Sequence, residues 1–367
     1  MRIICLQENL KNNLLTLERI SSKNQELPIL GNVLLKTEEG FLKAFATDLE
    51  IGVEIAIPCK IEKKGEAVVP IKLIAGFIAN LPNTKLTLEE KNNAIVIETE
   101  GVTTTIPAAN KNEFPIVPKI KEENMITMSG EALRGGIAQV INSAAISYTI
   151  PEIAGVLFVC GADVVKIVAT DSFRLSEKTL FKTKEYAIKK EQSFILPAKT
   201  AAELSKIITP EDEIVEIYLA QNQVLFKLKH ATIVSRLVAG EYPKYERIIP
   251  KTSTTKIALN KTEFISKLKL ASLFSSKIND VKLDIRANKN EMELTAADQA
   301  KGNFSATIRA DMTGESAEAL FNYKYLLDGL SNISEEEIVF EVNGAASPAI
   351  LKTKNDTYQY VAMPIKM

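Results

Sequence analysis

The sequence contains the same succession of elements three times, and this internal repeat limits the folds available to its 367 residues. Each third opens with an apolar pattern typical of an amphipathic helix, continues with two alternating strands, and then adds a second helix and closing strands. Each strand pair ends at an aspartate, Asp48, Asp171 or Asp298, and these residues lie 123 and 127 positions apart. We therefore expect three like α+β domains rather than one large core.

The predicted helices place their apolar residues on one face. In the first third, Leu6, Leu10, Leu14 and Leu17 recur at intervals of three or four residues. The helical stretches are residues 6–23, 70–81, 129–147, 197–208, 260–278 and 320–332. Turns between the closing strands are indicated by Asn92-Asn93, Gln221-Asn222 and Asn343-Gly344.

Two similar proline-containing segments separate the thirds, EFPIVPK at 113–119 and EYPKYERIIPK at 241–251. Extended connectors of this kind are typical of domain boundaries. The sequence therefore predicts domains at 1–121, 122–250 and 251–367, each with two helices packed on antiparallel sheets. The alternative is a chance likeness between parts of an ordinary α+β chain, and the shared order of elements and linkers argues against it.

Charge is distributed unevenly along the chain, although the formal net charge is only −1. The six helical stretches contain twelve Lys and Arg against six Asp and Glu, so they carry +6 and the remainder carries −7. A shared positive helix face would bind the phosphates of a polyanion without reading its bases. On charge alone, the simpler interpretation is that these lysines only solvate their helices.

The motifs of common enzyme classes are missing from the sequence. There is no GxSxG, GxxxxGK[ST], GxGxxG, HExxH or CxxC, and the one histidine is His230 in a strand-like segment. Cys5, Cys59 and Cys160 are odd in number and far apart, which is typical of buried thiols in a cytoplasmic protein. No apolar run reaches 18 residues, so no membrane span is predicted. We expect a cytoplasmic binding protein without catalytic residues, cofactor or metal; an enzyme with an unfamiliar site is an alternative.

Four segments resemble one protein family: LPILGNVLLK at 27–36, VATDSFRL at 168–175, EYPKYERIIP at 241–250 and YQYVAMPIKM at 358–367. They are similar to segments of the bacterial β sliding clamps, the processivity subunits of DNA polymerase III, and the resemblance covers the whole chain. It implies the DNA clamp fold, in which a head-to-tail homodimer forms a six-domain ring. In that ring the helices face duplex DNA and the strands form the outer wall.

The resemblance also implies a pocket between the middle and last domains, where partner proteins insert short linear peptides. Only the middle copy of the repeated motif lines this pocket, which would explain why Phe173-Arg174-Leu175 occurs once; an ordinary half-buried strand is the simpler interpretation without the resemblance. Met363 and Ile365 would adapt to several partners, and Arg174 with Arg247 would orient them. The implied pocket residues are Ile153, Thr170, Ser172, Phe173, Arg174, Leu175, Pro243, Arg247, Ile248, Ser347, Val361, Ala362, Met363, Pro364, Ile365, Lys366 and Met367.

Further expectations concern the DNA and dimer surfaces. The predicted DNA-facing residues are Lys11, Lys23, Lys72, Arg134, Lys199, Lys206 and Lys261. Leu273 and Phe274 resemble the apolar knob of the dimer interface, received by an edge that includes Val102, Thr103 and Ile106. The implied partners are double-stranded DNA, a second copy of the chain, the DNA polymerase III catalytic subunit, the clamp loader, and other polymerases and repair proteins. A scaffold that gathers partners through the same pocket without binding DNA is the alternative function.

Overall fold

The computed structural model describes residues 1–21, 26–116, 120, 122, 125–147, 149–188, 190–355 and 357–366. These residues include six α-helices, two in each third of the chain. The helices are α1 (Gln7–Ile20), α2 (Ile71–Ala79), α3 (Gly130–Val140), α4 (Ala198–Ile207), α5 (Lys261–Ser272) and α6 (Tyr323–Ser331).

The strands of the described residues fall into three sets of nine. The first set is β1 (Arg2–Leu6), β2 (Asn32–Glu38), β3 (Phe41–Thr47), β4 (Ile51–Pro58), β5 (Lys60–Lys63), β6 (Glu66–Pro70), β7 (Lys85–Lys91), β8 (Ala94–Thr99) and β9 (Val102–Pro107). The second set is β10 (Met125–Ser129), β11 (Gly155–Cys160), β12 (Val164–Thr170), β13 (Arg174–Phe181), β14 (Ala187–Ile188), β15 (Gln192–Pro197), β16 (Ile214–Leu219), β17 (Gln223–Lys227) and β18 (Ala231–Arg236). The third set is β19 (Thr255–Asn260), β20 (Asp280–Arg286), β21 (Glu291–Asp298), β22 (Gly302–Arg309), β23 (Asp311–Gly314), β24 (Ala317–Asn322), β25 (Glu337–Val342), β26 (Ala349–Lys352) and β27 (Tyr358–Ala362).

All three sets have the same topology, which confirms the predicted repeat and the α+β class. In the first third, one antiparallel sheet has the order β5-β1-β7-β8-β9, and a second contains β4-β3-β2-β6. The middle third repeats these orders as β14-β10-β16-β17-β18 and β13-β12-β11-β15, and the last third as β23-β19-β25-β26-β27 and β22-β21-β20-β24. Equivalent strands can therefore be compared residue by residue.

Strand pairing joins neighbouring thirds at two junctions. At the first junction, β18 pairs antiparallel with β4 and places Ile233 opposite Val53. At the second, β27 pairs with β13 and places Tyr360 opposite Ser176. Each junction merges a five-stranded and a four-stranded sheet into one sheet of nine strands. Among the described residues, β9 and β22 have no partner on the corresponding edge.

The first helix of each third begins four residues after an apolar residue at the same place in the first strand, namely Ile3, Ile126 or Ile257. In α1 the buried face contains Leu10 and Leu14, whose side chains are fully buried as the helical spacing predicts. α5 is capped by Asn260 and α6 by Asn322, whose side chains accept hydrogen bonds from backbone N–H groups of the first turn.

The folded chain divides into two compact units. The first comprises Met1–Glu131, Lys184–Lys189 and Lys206–Leu237; it contains the β18–β4 junction. The second comprises Ala132–Thr183, Lys190–Ser205 and Val238–Met367; it contains the β27–β13 junction. The middle third contributes to both units, so the boundaries of the compact units do not coincide with those of the three repeats.

The cysteines are free thiols. Cys5 and Cys160 are buried, and burial raises the pKa of each to about 12; Cys59 is half-buried rather than buried as predicted. His230 lies in the turn between β17 and β18 instead of in a strand, with Nδ1 3.4 Å from Oδ1 of Asp212.

Candidate functional site

The repeated Thr-Asp pair of the middle third builds a closed turn between β12 and β13. Oδ1 of Asp171 accepts hydrogen bonds from the backbone N–H groups of Phe173 and Arg174, each at 3.0 Å. The Thr170 hydroxyl donates to the Arg174 carbonyl at 2.7 Å and accepts from the Ser172 N–H at 3.2 Å. Ser172 has φ of 76°, in the left-handed region. The two side chains thus fix the backbone that presents Phe173.

The first third forms the same turn. Oδ1 of Asp48 accepts from the N–H groups of Glu50 at 3.0 Å and Ile51 at 2.9 Å, and the Thr47 hydroxyl donates to the Ile51 carbonyl at 2.8 Å. Leu49 has φ of 76°, like its counterpart Ser172. The recurrence of Thr-Asp is therefore explained by turn chemistry, whereas the residues presented by the turn differ between the copies.

Arg174 lies mostly buried behind the turn, with 12% of its side chain exposed. Its Nε donates to Oδ2 of Asp171 at 3.0 Å, and its Nη1 forms an ion pair with Asp328 of α6. The guanidinium also lies over the Tyr325 ring, 4.7 Å from the ring centroid. The sequence predicts that Arg174 orients a bound peptide; in this structure its Nε and Nη1 are directed to the turn and to α6.

The C-terminal segment continues the second junction beyond β27. Ala362 lies opposite Arg174 in the strand register, and the Met363 N–H then donates to the Phe173 carbonyl at 2.9 Å. Farther along, the Ile365 N–H donates to the Leu320 carbonyl at 2.7 Å. Backbone hydrogen bonds therefore hold this segment beside the turn.

The second linker packs on the same face. Tyr245 is 2% exposed, and its hydroxyl donates to Oε2 of Glu177 at 2.7 Å. Burial and this hydrogen bond both raise the pKa of Tyr245. The Tyr242 ring meets the Tyr245 ring edge-on at 6.4 Å. Leu175 and Val361 belong to the apolar cluster under these rings, so linker, turn and C-terminal segment share one small core.

The predicted pocket residues fall into three groups according to the exposure of their side chains. Buried residues are Ile153, Thr170, Leu175, Val361 and Ala362. Partly buried residues are Arg174, Ser347, Met363, Pro364 and Ile365. Exposed residues are Ser172, Phe173, Pro243, Arg247, Ile248 and Lys366, and Met367 lies outside the described residues. Phe173 and Ile248 are 60% and 43% exposed, so both apolar side chains are accessible on this surface.

The predicted DNA-facing residues differ in how far their side chains are exposed. Lys72, Arg134, Lys199 and Lys206 are exposed, whereas Lys11 and Lys261 are partly buried. Nζ of Lys261 donates to the carbonyl oxygens of Ile333 at 2.9 Å and Ser334 at 3.3 Å, so this ammonium group stabilises the segment after α6. Lys23 lies outside the described residues.

The predicted dimer residues lie on the edge strand β9 and immediately after α5. Val102 and Thr103 are exposed on β9, but Ile106 is only 2% exposed, so its side chain packs within its own sheet core. Leu273 is 64% exposed after α5. Phe274 is partly buried and stacks on Phe304 of the edge strand β22, with ring centroids 5.9 Å apart.

Two exposed leucines were not predicted from the sequence as contact residues. Leu73 of α2 is 53% exposed and Leu270 of α5 is 48% exposed, although both occur in helices with complete buried faces. The sequence could have indicated both residues, because a leucine is unexpected at a solvent-facing position on the polar side of an amphipathic helix.

No group of three or more metal-binding side chains occurs in the described parts of the chain. Within those parts, no helix combines the length and apolarity required to cross a membrane.

Comparisons with known proteins cover the whole sequence. The DNA polymerase III beta subunit family matches in three consecutive segments, with its N-terminal domain at 1–118, its central domain at 127–244 and its C-terminal domain at 246–366. A beta sliding clamp of Staphylococcus aureus (strain Mu50 / ATCC 700699) is 28% identical over 362 residues, which cover 96% of this chain and 95% of the relative.

Solved structures of similar fold include a DNA polymerase sliding clamp from Bacillus subtilis, with TM-score 0.93 and 26% identity over 100% of this chain and 99% of that one. A putative DNA polymerase III beta subunit from Eubacterium rectale has TM-score 0.92 and 26% identity, with 100% of both chains covered.

Proposed function

The chain belongs to the DNA polymerase III beta subunit family, and we infer that it acts as a DNA sliding clamp that encircles the duplex and makes the polymerase processive. A closed ring works through topology, because a tethered polymerase rebinds at high effective concentration instead of searching the solution. The observation that carries the proposal is the strand pairing of the repeat: among the described residues, β9 and β22 lack the pairing that their counterparts have at the two internal junctions.

The open edges indicate how two copies close the ring. β18 and β27 each pair with the four-stranded sheet of the preceding third, and β9 is their counterpart. Likewise, β4 and β13 each pair with a strand from the following third, and β22 is the counterpart of β4 and β13. We therefore propose that β9 of one copy pairs with β22 of the other. Two such contacts give a head-to-tail homodimer with six domains, which also satisfies the exposed backbone groups of both edges.

The internal junctions supply a register for this contact. Thr232 opposite Glu54 and Gln359 opposite Glu177 are equivalent pairs at the first and second junctions. Counting from the apolar core residues of each sheet, Thr103 of β9 corresponds to Thr232, and Ser305 of β22 corresponds to Glu54. The proposed dimer thus places Thr103 opposite Ser305.

Exposed leucines fit the same contact. At the second junction, Gln139 of α3 donates to the carbonyl of Asn332, immediately after α6. The counterpart of Gln139 in the last third is Leu270, and α2 of a second copy would take the place of α6. Leu270 and Leu273 would then cover Leu73 of the partner copy and exclude water from all three side chains.

DNA is proposed to contact the helices through phosphates. The preferred candidates have exposed side chains: Lys72, Arg134, Lys199 and Lys206. Lys11 and Lys261 are secondary candidates because they are partly buried, and Lys23 remains a candidate on the sequence prediction alone. Such contacts fall off steeply with salt and carry no base information, which suits a ring that must slide along any sequence.

Partner proteins are proposed to dock on the surface formed by the turn, the second linker and the C-terminal segment. Phe173, Pro243 and Ile248 offer exposed apolar contacts, and Arg247 offers a cation. Met363 and Ile365 are held by backbone hydrogen bonds, so their side chains can adapt without loss of the segment's path. Candidate partners are the polymerase III catalytic subunit, the clamp loader, and other polymerases and repair proteins with short linear motifs.

We keep 1–121, 122–250 and 251–367 as the proposed domain limits. The three matched family segments support them, since each lies within or close to one of these ranges. A processivity subunit acts by tethering, so we propose no catalytic residues for the chain, and we retain a cytoplasmic location as a proposal.

Loading on circular DNA tests the function. The chain is incubated with nicked plasmid, a bacterial clamp loader and ATP, and the plasmid fraction is separated by gel filtration at moderate salt. A sliding ring stays with the circle and is lost after a restriction enzyme linearises the plasmid. Retention on both forms would indicate ordinary DNA binding, and retention on neither would favour the scaffold without DNA. Light scattering should give roughly 80 kDa for the dimer, twice the chain mass of 40.4 kDa.

A further inference from the structure

Glu177 is a carboxylate that the second junction keeps away from water. It lies on β13 opposite Gln359 of β27, and it is only 4% exposed. The contacts proposed for DNA and for the second copy do not involve it. Burying a charge is costly unless several donors satisfy it, so the donors around Glu177 indicate which parts of the chain this carboxylate holds together.

Donors to this carboxylate come from three segments of the chain. Nζ of Lys166 on β12 lies 3.3 Å from Oε2, and Nε2 of Gln359 donates to Oε1 at 2.7 Å. The Tyr245 hydroxyl donates to Oε2 at 2.7 Å. β12 and β27 already pair with β13, whereas Tyr245 belongs to the second linker. Of these three donors, Tyr245 is therefore the one that attaches a segment from outside the sheet.

Tyr245 is the inward-facing residue of a short turn in the second linker. Its N–H donates to the Pro243 carbonyl at 2.6 Å, and its carbonyl accepts from the Ile248 N–H at 2.9 Å. Pro243, Arg247 and Ile248 are exposed, although Tyr245 is 2% exposed. The backbone that presents these three exposed residues is thus anchored through one buried side chain.

The anchor has an apolar part and a polar part. The Tyr245 ring packs in the cluster that contains Leu175 and Val361, and this packing has no preferred direction. The hydrogen bond to Glu177 is directional, because its strength depends on the distance and angle between hydroxyl and carboxylate. A charged acceptor in a buried setting also strengthens the bond. Together the two parts define one seated position of the linker.

The first linker cannot form the same contact. Glu54 has the strand position that corresponds to Glu177, since Thr47 lies opposite Gly52 as Thr170 lies opposite Leu175. The first linker, EFPIVPK at 113–119, contains no tyrosine. Of the two internal junctions, the one with the tyrosine contact is therefore the one whose linker contributes to the proposed docking surface.

We propose that Glu177 and Tyr245 are positioning residues for partner docking. Their hydrogen bond holds the second linker so that Pro243, Arg247 and Ile248 meet an incoming peptide in a fixed arrangement. This inference rests on the proposed docking surface, and it adds two buried residues that act through their neighbours. A linker that leaves its seat for part of the time binds peptide more weakly, in proportion to the seated fraction.

Tyr245→Phe tests the donor, because it removes the hydroxyl and keeps the ring. The probe is a labelled peptide with the clamp-binding motif of the polymerase III catalytic subunit, measured by fluorescence anisotropy on the full chain. Affinity should fall about three- to tenfold, as expected when the seated fraction drops to about a third or a tenth. Equal affinity of the wild type and Tyr245→Phe would overturn the proposal.

Tyr218→Phe is the matched control for this change. The Tyr218 hydroxyl also donates to a glutamate, Oε2 of Glu216 at 2.7 Å, but both residues lie in the other compact unit. The control should leave peptide affinity unchanged. A similar loss of affinity in both variants would mean that any lost tyrosine hydrogen bond weakens docking, which contradicts a specific role of Tyr245.

The acceptor is tested with two variants of Glu177. Glu177→Gln keeps a carbonyl oxygen that can accept from Tyr245, so it should retain most of the affinity. Glu177→Leu removes the acceptor and should match Tyr245→Phe. Because both changes remove one bond, the double variant Tyr245→Phe and Glu177→Leu should bind no more weakly than either single variant. Losses that multiply in the double variant would show that the two residues act separately.

Amide hydrogen exchange follows the linker without any peptide. The Ile248 N–H, which donates to the Tyr245 carbonyl, should exchange faster in Tyr245→Phe than in the wild type and at an unchanged rate in Tyr218→Phe. An unchanged rate in Tyr245→Phe would overturn the seated linker. A wild-type chain that binds no peptide would refute the docking surface and the positioning role with it, whereas plasmid retention tests the ring independently.

Discussion

The Arg174 guanidinium forms an ion pair with the Asp328 carboxylate, and this contact connects the turn after β12 to helix α6. No such pair is possible at the first junction, where the residue equivalent to Arg174 is Ile51. The second junction is therefore tied through side chains as well as through strand pairing. In the proposed ring, α6 faces DNA and the turn presents Phe173 to partners, so the pair joins two functional surfaces.

Asp328→Asn should destabilise the chain by about 1–2 kcal/mol, less than the cost of breaking a fully buried pair, because Asp328 is partly exposed. Urea unfolding measures the change. Partner-peptide affinity should also fall, because the Phe173 turn loses its support from α6. Asp163→Asn is the control: that carboxylate is 83% exposed, 3.7 Å from Lys182, and its loss should change stability by less than about 0.5 kcal/mol. Equal effects of the two variants would contradict the role of the Arg174 pair.

Ser172→Gly should stabilise the chain by about 0.5–1 kcal/mol, because a left-handed φ is costly for serine and free for glycine. Thermal unfolding reveals this as a higher Tm. Ser193→Gly makes the same chemical change in the extended strand β15 and should instead lower the Tm. A lower Tm for both variants would show that the Ser172 hydroxyl matters more than backbone strain.

Stability should fall as the pH rises above 10, and Tyr358 should account for part of the loss. Burial raises the pKa of Tyr358 from 10.0 to about 12, so an unfolded chain releases this proton before the folded chain does. Between pH 10 and 12 the unfolded state binds fewer protons, and the free energy of unfolding therefore decreases with pH. Urea unfolding at pH 9 and 11 should show a smaller decrease for Tyr358→Phe than for the wild type. An unchanged decrease would assign the effect to other groups.

Removal of residues 363–367 should leave folding and dimerisation largely intact and abolish peptide binding. Only two backbone hydrogen bonds of this segment to the rest of the fold are described, from Met363 and Ile365, so the loss of stability should be about 1–3 kcal/mol. Fluorescence anisotropy with a labelled clamp-binding peptide of the polymerase measures affinity, and light scattering measures mass. Lys289→Ala, a change at an exposed residue outside the proposed docking surface, is the control and should leave peptide affinity unchanged. A truncated chain that still binds the peptide would refute the proposed docking surface.

Thr103→Cys combined with Ser305→Cys should give a covalent dimer on mild oxidation. Residues opposite each other in an antiparallel pair have α-carbons about 4.5–5.5 Å apart, which suits a disulfide. Thr104→Cys with Ser305→Cys shifts one thiol to the other face of the sheet and should not cross-link. Non-reducing gel electrophoresis distinguishes the products, and the wild type controls for the native cysteines. Efficient cross-linking of the shifted pair alone would mean that the register is displaced by one residue.

Local sequence patterns predicted most of the fold. The helical spacing of Leu10 and Leu14 was sufficient to predict α1, because both side chains lie on its buried face. The Asn92-Asn93 turn was equally predictable, since both residues adopt positive φ values, 51° and 57°, that asparagine tolerates. Repetition of such local signals was sufficient to identify three like domains.

Pairing between distant segments was not predictable from local patterns. Asp328 is 154 residues from Arg174, and the local sequence around Arg174 indicates only its nearer partner, Asp171. The burial of Ile106 and the exposure of Leu73 likewise depend on which face each element turns to its neighbours. For this reason the sequence indicated candidate segments for partner and dimer contacts, but it did not indicate how deeply individual side chains such as Ile106 are buried.

The unpaired edges of β9 and β22 also determine where a ring of this design can open. A closed dimer has three kinds of junction, and the two within each chain are bridged by a covalent linker. The junction between copies has no linker, and it has no counterpart of the Arg174 pair, because the positions equivalent to Arg174 and Asp328 are occupied by Gly302 and Gly76. We therefore propose that this junction is the gate of the ring: DNA would enter where the two strands part, and the lifetime of the clamp on DNA would depend on how often they do.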